Sequence, residues 1–163
     1  MNIQISSHEG ALQLVQDQPH HYDVAFITSP QTPFSVPGSQ AILDQARRSL
    51  MLQFDDIDGP VLDLVPPTRE QIEELLDWAS DKSNLVVSCL AGISRSSASA
   101  VVIMASRGPI LDALEILDPE THSPNILIVQ YGEEILGKKG LTDAVLEWKR
   151  WRSTILLPPG SSL

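Results

Sequence analysis

The chemistry of this chain concentrates in one run, Cys89-Leu90-Ala91-Gly92-Ile93-Ser94-Arg95-Ser96. It follows a short β-branched stretch, Leu85-Val86-Val87-Ser88, and leads into an apolar segment with the spacing of a helix. A strand that turns through a glycine into a helix leaves backbone N–H groups free at the turn and in the first helical turn. Such groups cradle anions. Gly92 can take the positive φ that this turn needs. A cysteine at the edge of the cradle feels the same partial positive charge, which favours the nucleophilic thiolate. Arg95 adds a planar fork whose parallel N–H donors match two phosphate oxygens, a geometry that lysine cannot reproduce. A thiolate, a fork and an amide cradle around one centre are the parts that covalent phosphoryl transfer needs.

Cys-x5-Arg followed by Ser, after an apolar strand, resembles the phosphate loop of the protein tyrosine phosphatase superfamily. The form Cys-Leu-Ala-Gly-Ile-Ser-Arg-Ser looks most like the dual-specificity branch, and the resemblance extends over about residues 50–137. It implies that Cys89 attacks phosphorus and forms a thiophosphate intermediate. The amides of Leu90, Ala91, Gly92, Ile93, Ser94 and Arg95 would hold the non-bridging oxygens, with Arg95 adding its bidentate clamp. Ser96 would donate its hydroxyl to the Cys89 sulfur as the thiolate departs; a plain helix cap is its other use. One departure stands out. The family usually has a histidine before the cysteine, which organises hydrogen bonds behind the loop, and this chain has Ser88. Ser88 still supplies a hydroxyl, so two readings stand: a slower enzyme, or a phosphate-binding pseudophosphatase with little or no turnover.

A departing alkoxide or phenolate needs a proton, which the family takes from an aspartate on a separate loop, about thirty residues before the cysteine. Leu52-Gln53-Phe54-Asp55-Asp56 fits that description, and the resemblance implies Asp56 as the acid. Asp55 and Asp58 are its rivals; solvation and N–H capping are the ordinary uses of a turn aspartate. Ser123-Pro124-Asn125 resembles a family helix start, from which Asn125 would brace the loop from behind. A simple helix N-terminus explains it equally well.

The elements that must position these residues can be read from periodicity. Strands are expected at 2–6, 23–28, 50–54 and 85–87. Helices are expected at about 8–17, 40–46, 96–106, 110–117 and 141–152, with one more from Ser123-Pro124 to Gly137. Thr68 and Gln71 form a capping box ahead of Ile72, Leu75, Leu76 and Ala79, which share one helical face. Strands separated by helices imply an α/β domain: a central, mostly parallel sheet of four or five strands with helices on both faces. In such sheets the site lies at the carboxyl ends of central strands, where Cys89 stands. The sequence reads as one domain over 1–157 with a loose tail at 158–163.

Composition removes several function classes. The chain has 163 residues, 42% of them apolar, and a formal charge of −10. That charge opposes a nucleic-acid grip, which needs clustered cations. Lys138-Lys139 and Lys149-Arg150-Trp151-Arg152 read as solvated helix ends. No apolar run is long enough for a membrane span, and the lone cysteine points to a reduced, cytoplasmic setting. His20 and His21 lack the partners of a metal site, His122 sits near a helix start, and Trp78, Trp148 and Trp151 suit packing. No cofactor or metal is expected. The expected partner is a phosphorylated protein or a small phosphomonoester, and no feature specifies an oligomeric state.

Overall fold

The computed structural model describes residues 1–34 and 36–156; the tail expected at 158–163 lies outside the described residues. Four strands, β1 (Asn2–Ser7), β2 (Asp23–Thr28), β3 (Arg48–Gln53) and β4 (Asn84–Cys89), form a sheet in the order β1-β4-β2-β3. All three pairings are parallel, so every strand ends at the same edge. The two central strands, β2 and β4, are the most buried, and Leu85–Ser88 lies inside the sheet as the β-branched run predicts.

Alternation along β4 divides the core into two layers. Leu85, Val87 and Cys89 join the larger one, with Ile72 and Leu75 of α3 (Arg69–Ala79), the apolar face of α4 (Arg95–Arg107) and Ile128 and Val129 of α6 (Ile126–Leu136). Val86 joins the smaller, with Val24, Phe26 and the Ala11, Leu12 and Val15 stripe of α1 (His8–Asp17). Leu43 of α2 (Ser39–Leu43) completes that side. α5 (Ile110–Leu114) and α7 (Leu141–Leu156) pack on the larger layer.

The capping box forms as read: Gln71 N–H donates to Thr68 Oγ1 at 3.3 Å, and Thr68 N–H donates to Gln71 Oε1 at 3.0 Å. Such a cap is worth about 1 kcal/mol. Element ends differ by a few residues. β3 starts at Arg48 because its ladder with Asp23 of β2, which apolar alternation does not mark, begins there. α5 stops at Leu114, short of residue 117, and α7 runs past residue 152 to Leu156. The basic clusters are not simply solvated. Lys149 Nζ donates to Pro124 O at 3.1 Å and Arg152 Nε to Pro119 O at 2.6 Å, pinning α7 to the loop that leads into α6.

α4 and α6 meet at a close approach. A Cβ on Gly132 would lie 2.5 Å from both methyls of Val102 and 3.0 Å from its Cβ. Alanine normally favours a helix over glycine by about 1 kcal/mol, but a methyl forced into this packed contact costs about 1–3 kcal/mol. Gly132→Ala should therefore lower the urea midpoint of unfolding; a raised midpoint would show that the helices move apart freely.

Two buried histidines make stability depend on pH. His122 Nδ1 accepts from Asp118 N–H at 2.9 Å, which requires that nitrogen to be unprotonated. Burial holds His122 below the ordinary 6.5, against the opposing charge of Asp118 and with some help from Arg152. His8, 1% exposed, is lowered chiefly by burial, opposed by its bond to Ile27 and aided by the charge of Arg95. Below about pH 6.5 the unfolded chain takes up protons that the folded one refuses, so stability falls with pH. The carboxylates of Asp118 and Glu133 are held below their usual range and titrate lower still. Between pH 7.5 and 5.5 the unfolding free energy should fall, and a His8→Phe, His122→Gln double variant should flatten that slope; an unchanged slope would refute this assignment.

Candidate active site

β4 delivers Cys89 to the carboxyl edge of the sheet, 3% exposed, between the ends of β1 and β2. Residues 90–94 then loop back, and α4 begins at Arg95. The turn is made at Gly92, whose φ is +73°. A Cβ there would lie 2.6 Å from Ser7 N and 2.7 Å from the Ser6 carbonyl carbon. Both the backbone angle and the contact demand glycine, so the loop rests directly on the end of β1. Ser94 occupies the N-cap of α4, yet its side chain makes no capping bond. Its hydroxyl points to the aspartate loop instead, leaving the first amides of α4 to other partners.

The sulfur of Cys89 lies 3.1 Å from Ser96 Oγ, in the buried first turn of α4. With a thiolate at Cys89, the serine hydroxyl is the donor. Arg95 is 6% exposed. Its Nη1 donates to Phe54 O at 2.8 Å and to Ser29 Oγ at 3.4 Å, while its buried Nε has no hydrogen-bond partner among the described residues. The guanidinium is thus held by one nitrogen, with the Nε–Nη2 edge left for an anion. Arg47 shows what that edge does when an anion is present: its Nε and Nη2 grip the two oxygens of Asp23.

The three rival aspartates separate cleanly. Asp55 is buried; its Oδ2 accepts from Val65 N–H at 2.8 Å and its own N–H donates to Val65 O at 2.6 Å, so it closes the loop over 55–65. Asp58 is exposed. Asp56 faces the Cys89 loop: its Oδ1 accepts from Ser94 Oγ at 2.7 Å and from Asn125 Nδ2 at 2.9 Å. Asn125, 3% exposed, does more than start α6, where its Oδ1 accepts from Ile128 N–H at 3.2 Å. It also donates to Ile57 O at 3.3 Å, and its N–H donates to Ser94 O at 3.3 Å. The Cys89–Arg95 loop, the aspartate loop and α6 are joined through this one residue.

Ser88 is fully buried and its hydroxyl reaches Ala25 O at 3.4 Å, away from the sulfur. Leu90, Ala91 and Ile93 are exposed along the rim. Sequence reasoning missed Ser29, Phe54 O and His8, which reach the site from β2, β3 and α1. Only the fold brings them there, and no local spacing announces them. The hollow of about 390 Å³ lined by Gln130, Glu133, Glu134 and Thr142 lies elsewhere, where Glu133 caps α7 through Thr142 N–H at 2.7 Å. Its glutamates suit no phosphate.

No family model matches the chain, and no curated protein matches it in sequence. Solved structures do match it in shape. DUSP15 superposes with a TM-score of 0.55 at 18% identity, over 89% of this chain and 90% of that one. PTPMT1, solved in complex with PI(5)P, gives 0.58 at 15% identity over 90% and 94%. The human tyrosine phosphatase-like serine/threonine/tyrosine-interacting protein gives 0.57 at 17% over 79% and 84%. The chain thus has the fold of the dual-specificity phosphatases over most of its length.

Proposed function

We propose that this chain is a cysteine-dependent phosphomonoesterase of the dual-specificity type. The observation that carries this reading is Arg95. A guanidinium 6% exposed, with a buried Nε left unpaired, sits six residues along the chain from a cysteine whose sulfur already meets a hydroxyl. Burying an unpaired donor on a cation is costly, and a tetrahedral dianion at the head of α4 relieves it. The fold shared with DUSP15 and PTPMT1 supports the same chemistry.

The reaction then runs in two displacements. The Cys89 thiolate attacks phosphorus as the phosphorus–oxygen ester bond breaks. The leaving oxygen takes a proton from Asp56, and a thiophosphate remains on Cys89. The amides of residues 90–95 and the Nε–Nη2 edge of Arg95 hold the three equatorial oxygens throughout. Water next attacks phosphorus and gives its proton to Asp56, and the sulfur leaves as a thiolate accepting the Ser96 hydroxyl bond. Ser94 and Asn125 hold Asp56 by one oxygen, which orients the other.

The substrate is a phosphorylated protein or a small phosphomonoester. The rim is apolar at Leu90 and Ile93, exposed by 56% and 39% respectively. Asp58 and Asp63 add negative charge on the neighbouring loop, which Gln31 ties down through Asp63 O at 3.2 Å. Such a mouth repels polyphosphates and acidic flanks. A cytoplasmic setting suits a lone thiol that must stay reduced.

A second reading, a phosphate-binding pseudophosphatase, is favoured by Ser88, and one shape relative is named as phosphatase-like and interacting. Turnover of p-nitrophenyl phosphate separates the two: the enzyme reading expects hydrolysis that Cys89→Ser abolishes, and binding without hydrolysis would support the second. Arg95→Lys keeps the charge but loses the fork, so most activity should go; near-normal turnover would remove the clamp.

Asp56→Asn should cost about 10²–10⁴-fold on alkyl phosphates and much less on substrates with acidic leaving groups. Asp55→Asn and Asp58→Asn should show no such dependence. A steep leaving-group dependence in either of those variants, and not in Asp56→Asn, would move the acid to that residue.

A further inference from the structure

Outside the residues that touch substrate in this reading, one buried group stands beside the site with a defined set of bonds. His8, the first residue of α1, is 1% exposed. Its ring stacks on Phe26 with centroids 3.9 Å apart and planes 16° from parallel. Nε2 lies 2.9 Å from Ile27 O, and because a carbonyl only accepts, that nitrogen carries the proton. The His8 backbone N–H meets Leu90 O, the first carbonyl of the loop, at 3.5 Å.

The register explains why an imidazole is placed here. The β2–β4 ladder ends at Phe26–Ser88, and β1–β4 ends at Ser7–Cys89. Ile27 is the next residue on β2, beyond that ladder's last pair, and His8 supplies a donor to its carbonyl. Position 88 carries only a serine, on the strand paired with Phe26 and on the sheet face that α1 covers. Two supports of the site meet at this histidine. The β1–α1 corner is the surface on which Gly92 rests, through Ser6 and Ser7. The end of β2 leads within two residues to Ser29, which accepts from Arg95.

We propose that His8 is a positioning residue for the Cys89–Arg95 site. Its neutral imidazole locks the corner under the phosphate loop to the strand end that holds the clamp, so that cradle and fork keep one spacing. This rests on the phosphomonoesterase reading for its consequence in turnover, but the spacing governs anion binding whether or not turnover occurs. Burial and the nearby Arg95 charge keep the ring neutral, which avoids placing a second cation behind the first.

The test compares His8→Phe, which keeps a ring and loses the donor, with His8→Gln, which restores an N–H, and with Phe26→Leu, which removes the stacked ring and leaves a small gap in the core. Each is measured as folded protein at 25 °C for p-nitrophenyl phosphate kinetics and for tungstate affinity by calorimetry. Misplacing reacting groups by about 1 Å costs up to about 10²-fold, so His8→Phe should lose about 10–100-fold in kcat/KM. Tungstate should bind more weakly by a comparable factor, with His8→Gln recovering most of both and Phe26→Leu showing a smaller loss in the same direction. If His8→Phe does not fold, Phe26→Leu and His8→Gln still read the effect. Variants that melt earlier yet bind tungstate like the wild type would make His8 structural only and overturn the proposal. Should the wild type bind tungstate without hydrolysing ester, the phosphatase reading fails by itself, and the tungstate comparison still decides the role of His8.

Discussion

A buried cation governs this structure. Arg95 stands at the first position of α4, where the helix end is already partly positive and where a carboxylate would be the natural neighbour. Among the described residues no carboxylate pairs with it. Its bonds are to the Phe54 carbonyl and the Ser29 hydroxyl, neutral acceptors that hold the guanidinium without discharging it. A folded chain tolerates that arrangement only if packing elsewhere offsets it, and here it is set in the larger core, among the fully buried residues of β4 and α4. The unpaired Nε is what the proposed anion at the head of α4 would satisfy.

The all-parallel sheet is what allows one point to collect so many contributors. Because every strand runs the same way, β1 brings Ser6 and Ser7, β2 brings Ser29, β3 brings Phe54 and the aspartate loop, and β4 brings Cys89, all to one edge. The order β1-β4-β2-β3 puts the cysteine strand between two neighbours, so the loop after it is supported on both sides. α6 completes the ring, since Asn125 at its start holds Asp56 and the Ser94 carbonyl together. The overall charge of −10 is compatible with the proposed anion site, whose field would come from backbone dipoles and one guanidinium at short range.

Much of this was legible in the sequence, for a physical reason. Cys89 to Ser96 is a local motif: strand, glycine turn and helix start are neighbours along the chain, so residue types there report geometry directly. Resemblance alone favours Asp56 over Asp55 in the sequence; in the structure Asp55 spends its carboxylate on Val65 N–H, closing its own loop. The sequence allows Asn125 as a brace or as a plain helix start; its side chain bonds both Asp56 and Ile128 N–H. His8 and Ser29 could not be found, because their contacts with Ile27 and Arg95 span 19 and 66 positions and depend on which strands become neighbours. Charge alone marks the basic residues near the C-terminus as solvated helix ends, whereas Lys149 and Arg152 act through hydrogen bonds to carbonyls of a proline-containing loop.

The central claim is that the amides of residues 90–95 and the unpaired edge of Arg95 form one oxyanion site. It can be tested without any turnover, by titrating ¹⁵N-labelled protein with tungstate and following amide and arginine Nε signals by NMR. The account predicts saturable shifts confined to residues 90–95, the neighbouring first turn of α4 and Arg95 Nε–H, which should move furthest downfield as it acquires its missing acceptor. Saturable shifts elsewhere on the surface with the Arg95 Nε–H signal unmoved would contradict it.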